Sequence, residues 1–212
     1  PETFLYFLKS TDGENNDDAF LWISKTLSKA IENIYDPIEG GFFRFAETRD
    51  WDVPHFEKMA DLNSGIILLL YKMYQIKPKK SFKQIAVQTT GYLSETLFNR
   101  QVNSFLSFQE ADNYYYYFNE KNRKNKKFPN VIKNIYINNL AITLNYLLDV
   151  LDYSNDKNLK NKIKSSIDLL YEMISKNKRP FHYFNTTKKQ WLGRADLQDF
   201  ALLAKLFHKA AK

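Results

Sequence analysis

Apolar residues recur at helical spacing in six segments of the chain. Phe20, Ile23, Leu27, Ile31 and Ile34 mark a helix near residues 18–35. Met59, Leu62, Ile66, Leu69 and Met73 mark a second near 56–76, which must end before Pro78 because the residue preceding a proline is pushed out of the helical region. Phe82, Ile85, Tyr92, Leu93 and Leu97 predict a third near 81–98. Leu140, Leu144, Leu147, Leu148 and Leu151 predict a fourth near 138–152. Leu159, Ile163, Ile167, Leu170 and Ile174 predict a fifth near 157–176, and Leu197, Phe200, Ala204, Phe207 and Ala211 a sixth near 196–211. Asp17 or Asp18, Ser81, Asn138, Asn155 and Asp196 stand where N-caps are expected, since a short polar side chain there accepts an otherwise free helical N–H.

The connections alternate in length. Short links at 77–80 and 152–156 predict antiparallel helical hairpins. Long loops at 36–55, 99–133 and 177–195 then emerge at one end of the bundle, and loops longer than about 15 residues are usually functional. Each long loop carries Phe-x-x-Phe after a small or turn-forming residue: Phe42 to Phe45 after Gly41, Phe105 to Phe108 after Ser104, Phe181 to Phe184 after Pro180. Such pieces read as short extended segments. A unit of loop plus hairpin recurring at roughly 60–80 residues predicts a toroid or solenoid of hairpins. The fold class read here is all-α: one domain over 1–212, antiparallel helical hairpins in a partial α/α toroid, with short β pieces in the loops at one end.

Composition changes this picture little. The 212 residues are 44% hydrophobic and 26% charged, ordinary for a globular chain. No apolar run approaches the roughly 20 residues that span a bilayer, so no membrane segment is expected. The start of the sequence lacks the pattern of a secretory leader. Cysteine is absent, which excludes disulfides, thiolate metal sites and dithiol chemistry within these residues, and a cytoplasmic setting is the expectation. Much of the net charge of +7 lies in Lys121-Asn122-Arg123-Lys124-Asn125-Lys126-Lys127. That run reads first as a solvated loop and second as a footprint for a polyanion such as nucleic acid, with Tyr114 to Tyr117 beside it to stack on bases. No nucleic-acid-binding motif accompanies it, so nucleic acid is the weakest of the readings.

The first long loop concentrates ionisable, aromatic and glycine residues. His55 and Glu57 are the acid/base candidates, because a histidine titrates near neutrality and an adjacent carboxylate tunes it. Glu57 in a first helical turn reads equally as a dipole partner. Glu110 and Asp112, two apart in an extended segment, share one face in the manner of paired carboxylates. His55, Glu57 and Asp112 are therefore the candidate proton-handling residues. Tyr35, Asp36, Arg44, Trp51 and Glu110 are the candidate binding residues. Asp36 before Pro37 also reads as a turn residue, and Arg44 as the internal partner of Asp36 or Glu57. His182 and His208 stand at no ligand spacing from each other or from His55, so no metal site and no cofactor is expected.

Ile34-Tyr35-Asp36, Gly40-Gly41-Phe42, Arg44-Phe45, Trp51 and Val53 to Met59 together resemble the pattern I-Y-D-x-x-G-G-G-F-x-R-Y followed by W-x-V-P-H-F-E-K-M-L-Y-D. That pattern belongs to the C-terminal region of a family of unknown function that joins a thioredoxin-like domain to an α/α toroid and includes the spermatogenesis-associated thioredoxin-domain proteins. Ser107-Phe108-Gln109-Glu110-Ala111-Asp112 is similar to the family's S-x-x-D-A-D, Asn138 and Leu140 to its N-G-L, and Leu197-Gln198-Asp199-Phe200-Ala201 to its L-x-D-Y-A. The resemblance implies a six-hairpin glycosidase-like toroid related in fold to sugar 2-epimerases and glycoside hydrolases, of which this chain supplies about half, without the thioredoxin-like domain. It implies a carbohydrate-binding or carbohydrate-processing site at the loop-rich mouth. The alternative is a non-catalytic remnant acting through protein association, with a second copy or a complementary chain completing the ring. Acidic positions depart from the pattern: Thr48 and Tyr136-Ile137 stand where the family has an acidic residue, Glu110 replaces an Asp, and Met59-Ala60-Asp61-Leu62 moves a carboxylate by one residue. That last shift turns it by about 100° and is expected to take it out of the pocket.

Overall fold

The computed structural model describes residues 1–10 and 16–212. Helices α1 (Glu2–Ser10) and α2 (Asn16–Asn33) open the chain. The first long loop is tied by a bridge between Tyr35 and Phe42, then by strands β1 (Phe45–Ala46) and β2 (Pro54–His55), and ends in β3 (Lys58–Met59). Helices α3 (Ala60–Ile76) and α4 (Lys80–Tyr92) follow, and α4 runs on through a π-helical turn, Leu93–Leu97. A hairpin of β4 (Phe98–Asn99) and β5 (Ser104–Phe105) leads to β6 (Phe108–Gln109), short helices α5 (Asn113–Tyr116) and α6 (Glu120–Arg123), and β7 (Asn134–Tyr136). Helices α7 (Ile137–Val150) and α8 (Lys157–Asn177) form the next hairpin. Strands β8 (Phe181–Asn185) and β9 (Gln190–Arg194) extend β7 into a three-stranded antiparallel sheet, and α9 (Leu197–Ala210) closes the described chain.

Helix α3 packs on α7 and α7 on α9, while α4 covers α3 and α8 packs behind α7. This is part of an α/α toroid: an inner row of α3, α7 and α9 backed by outer helices. The apolar stripes explain the layers. Ile67, Leu70 and Met73 of α3, Leu144 and Leu147 of α7 and Leu206 of α9 are fully buried in one contiguous core. Each such side chain contributes about 1.5–3 kcal/mol by leaving water.

The loops knit together where the inner helices begin. β3 pairs with β6, and β7 pairs with β8. The Ser107 carbonyl accepts the Ala60 N–H at the start of α3 (2.9 Å), and its hydroxyl accepts the Tyr136 N–H just before α7 (2.9 Å). All three Phe-x-x-Phe pieces contribute strands or a bridge to this end.

Several local expectations change. The helix read from residue 56 starts at Ala60, because Pro54–Met59 is spent in two strands. Helix α1, and α5 and α6 within the loop 99–133, carry too few periodic residues to announce themselves. Asp156, not Asn155, caps α8 through the Asn158 and Leu159 amides; α4 and α7 lack a side-chain cap at Lys79 and Tyr136; Asp17 and Asp18 lie inside the first turn of α2. Asp196 is the expected cap of α9, in a capping box with Asp199.

Part of the basic run is engaged within the fold. Arg123 is buried and donates to both oxygens of Asp36 at 2.9 Å, Lys124 pairs with Glu120 at 2.8 Å, and Lys126 lies 4.8 Å over the Tyr114 ring. No helix among the described residues is long and apolar enough to cross a membrane.

Candidate functional site

A cavity of about 280 Å³ opens where α3, α7 and α9 begin. Asp61, Phe108, Tyr136, Asn139 and His182 are among its walls. The hand-over from β3 to α3 at Ala60 places Asp61 in the first turn, where its carboxylate accepts the Leu62 amide at 2.8 Å. Burial pushes the Asp61 pKa up; the Leu62 amide, the Asn139 side chain and the positive charge of Arg44 hold part of that rise back. The carboxylate expected to leave the pocket is therefore in the wall of this cavity.

His182 reaches the same cavity from the central strand β8. Its Nδ1 lies 2.8 Å from Oδ2 of Asp199, a fully buried carboxylate at the start of α9. That oxygen already accepts the Asp196 amide at 3.0 Å, so it acts as acceptor and Nδ1 as donor. Nε2 is left as the exchangeable nitrogen of the ring. Gly193, at φ 72°, makes room for this arrangement: a Cβ there would meet Cβ of His182 at 3.0 Å. The Tyr136 ring stands 6.0 Å from the imidazole.

His182, Asp196 and Asp199 also bring three ligand-type atoms within 4.8 Å of one another. Their spacing could not reveal this, since the partners of the histidine are carboxylates across a strand-to-helix turn. The capping box and the His182–Asp199 hydrogen bond account for the arrangement.

The residues singled out from the sequence lie elsewhere, and none of the eight lines the cavity. His55 stacks on Phe45 at 4.8 Å, and its Nδ1 is buried with no hydrogen-bond partner among the described residues. Glu57 accepts from Arg44 at 2.7 Å, the internal pairing that the sequence left open for that arginine. Asp112 caps α5 through the Tyr115 amide, and Glu110 accepts from Asn130 at 3.1 Å. Asp36 is buried between Lys58 and Arg123. The Tyr35 hydroxyl donates to Gln88 at 2.8 Å, and burial together with the Asp36 charge pushes this phenol up to about 12. Trp51 sits at φ 68° and packs its ring against the core. Arg44 alone touches the cavity's electrostatics, through Asp61.

The sequence held signals for the residues it did not yield. Asp199 lies in Leu197-Gln198-Asp199-Phe200-Ala201, and His182 in the third Phe-x-x-Phe. Neither carried a local partner, because strand pairing and the α9 cap bring them together across 17 residues.

No family model matches the chain. Over 112 residues it is 28% identical to spermatogenesis-associated protein 20 of Mus musculus, a stretch that covers 51% of this chain and 14% of that protein. Among solved structures it resembles cellobiose 2-epimerase from Bacillus thermoamylovorans B4167 (TM-score 0.65, 17% identity, 93% of this chain and 51% of that one). It also resembles a D-mannose isomerase (TM-score 0.63, 18% identity, 90% and 47%). The chain thus spans about half of these structures and a small part of the mouse protein. Its sequence is distantly similar to part of spermatogenesis-associated protein 20, and its fold is that of part of a six-hairpin glycosidase-like α/α toroid.

Proposed function

We propose that the cavity is a carbohydrate-processing site and that His182 moves a proton on a bound sugar, in a protein that works in the cytoplasm. The observation that carries this reading is the His182–Asp199 contact of 2.8 Å on a ring that lines a cavity shared with Asp61. Asp199 fixes the ring and its tautomer, leaving Nε2 to take a proton from the carbon beside the sugar's carbonyl. The electron pair moves into an enediol as the carbonyl oxygen gains a proton from Asp61, whose raised pKa suits it to donate. Return of the proton to that carbon from the opposite face, with the enediol proton going back to Asp61, completes epimerisation; its delivery to the former carbonyl carbon, with loss of the neighbouring hydroxyl proton, completes isomerisation. Tyr136 and Phe108 offer faces for the ring, as aromatic side chains do in sugar sites. The epimerase and isomerase among the similar structures support this reaction class.

The test is exchange in D2O. Incubation with glucose, mannose or cellobiose should place deuterium at C2, read by NMR, and His182→Ala should abolish it with the fold intact by circular dichroism. Absence of exchange with every sugar, or exchange unchanged in the variant, overturns the proposal.

A second reading, association without catalysis, rests on α9, where Leu197 is 85% and Phe200 52% exposed. Such a face suits a second copy or a complementary chain. Equilibrium sedimentation tests it: a concentration-dependent mass that falls to the monomer in Leu197→Glu supports it, and a monomer throughout rejects it.

A further inference from the structure

Folding sorts the aromatic and basic residues of the segment 113–130 into a buried set and an exposed set. Tyr115, Tyr116 and Arg123 are buried. Arg123 donates to Asp36 at 2.9 Å, the Tyr116 hydroxyl donates to Gln109 at 2.9 Å, and the Tyr115 hydroxyl donates to Glu39. Asp112 caps α5 through the Tyr115 amide, and Asn119 caps α6 through the Asn122 amide. These contacts hold the segment on the body of the protein.

The exposed set keeps three aromatic rings in water: Tyr114 is 65%, Tyr117 70% and Phe128 43% exposed. Lys121, Lys124, Lys126 and Lys127 are exposed beside them, against a single acid in the segment, Glu120. The Lys126 ammonium lies 4.8 Å from the Tyr114 ring and 5.0 Å from that of Phe118, and donates to the Tyr114 hydroxyl at 3.2 Å. A cation is thus fixed next to an exposed ring. Lys124 pairs with Glu120 at 2.8 Å, but both side chains are mostly exposed, so a stronger anion can take the ammonium over. Asn113, Asn122 and Asn125 are exposed among these groups. None of these residues lines the cavity beside His182.

Charge and composition select the occupant. Clustered lysines call for a polyanion. An anionic membrane would supply the charge, but a surface that enters the headgroup layer buries aliphatic or Trp side chains there, and residues 113–130 contain no Leu, Ile, Val, Met or Trp. Phenyl and phenol rings stack on bases, lysines pair with phosphates, and amides bond to base edges. The rings need bases free of a duplex stack. We infer that this exposed face binds single-stranded nucleic acid, with bases stacked on Tyr114, Tyr117 and Phe128 and the backbone held by Lys121, Lys124, Lys126 and Lys127. This activity is separate from the sugar chemistry of the cavity, and each stands or falls alone.

Fluorescence anisotropy of labelled oligo-U RNA and oligo-dT DNA decamers tests it, with unlabelled strand, a duplex of the same length, inorganic polyphosphate and phosphatidylserine vesicles as competitors. The strands should bind at low salt, and unlabelled strand should compete better than any of the other three. Affinity should fall with salt at a log–log slope of about −2 to −3, as expected for four lysine–phosphate contacts on a single strand. Tyr114→Ala combined with Tyr117→Ala should weaken binding about tenfold or more. Lys121→Gln combined with Lys127→Gln should cut the salt slope to about half. The lysine variant carries the test if circular dichroism shows that the tyrosine variant is misfolded. Tighter binding of one strand type identifies RNA or DNA as the ligand, and equal binding supports the recognition of features common to both. No binding at low salt, competition by polyphosphate, duplex or vesicles equal to that by the strand, or binding unchanged in both variants overturns the proposal.

Discussion

Lys58 and Asp36 form an ion pair of 2.7 Å in which neither side chain reaches solvent. The ammonium also donates to the Gly40 carbonyl at 2.8 Å and lies about 5 Å from the rings of Phe43, Tyr92 and Tyr116. Burial pulls the Lys58 pKa down and the Asp36 charge opposes that pull. Arg123 reaches the same carboxylate from 87 residues away. One aspartate thus pairs with two buried cations, with Glu39 3.8 Å from Arg123 as the second anion, and joins the first loop, the strand before α3 and the segment 113–128.

Removing the shared anion should be worse than removing either cation. Asp36→Ala leaves Lys58 and Arg123 buried with only the Glu39 carboxylate, 3.8 Å from Arg123, as counter-charge, and the loss of a buried partner costs about 3–5 kcal/mol. Lys58→Met leaves Asp36 paired with Arg123 and should cost less. Urea denaturation of both variants gives the order, and an Asp36→Ala variant as stable as Lys58→Met would contradict it.

Arg123 also donates to the Phe118 and Tyr116 carbonyls at 3.0 and 2.9 Å, which fastens α5 and α6 onto the body. Arg123→Ala should therefore raise amide hydrogen exchange across residues 114–128 and leave that of α3 and α7 unchanged. Uniform loss of protection would mean that the segment does not open on its own.

Asp61 predicts a pH dependence with a definite sign. Its folded pKa is raised, so between the unfolded and folded values the native state holds more protons, and stability from this group falls as pH rises. The favourable contribution is complete below the ordinary carboxylate range and is lost once pH passes the folded value. Asp61→Asn should accordingly be the more stable protein at pH 7, with the difference shrinking toward pH 4, measured by denaturation at each pH. A difference that grows on acidification would reverse the assignment.

Gly193 and Gly91 should respond oppositely to alanine. Gly193→Ala meets both a left-handed backbone and the His182 Cβ, and should cost about 1 kcal/mol or more while displacing the ring. Gly91 lies in α4 with open space where a Cβ would stand, and Gly91→Ala should gain about 0.5–1 kcal/mol. Thermal melts of the two variants read both effects.

The helices were legible because burial of one stripe imposes a 3.6-residue period whatever the neighbours are, as α8 shows from Leu159 to Met173. Phe-x-x-Phe and the alternating loop lengths likewise disclosed that the long connections gather at one end. The chemistry was less legible. His55, Glu57 and Asp112 are chemically apt, and the structure adds contacts that the sequence does not show: stacking on Phe45, an ion pair with Arg44 and a cap on α5. Asp61 is set aside on its register, and whether that register faces the cavity depends on how α3 packs.

What the chain alone determined was its set of helices and the common end of its loops, since both follow from short-range periodicity and connection length. Only the folded molecule decided which groups face one another. The β8 register and the α9 cap bring His182 to Asp199, the packing of α3 against α7 sets Asp61 in the cavity wall, and the buried carboxylate of Asp36 draws Lys58 and Arg123 together. These pairings join residues far apart in sequence, and the desolvation that tunes them exists only once the core has closed around them.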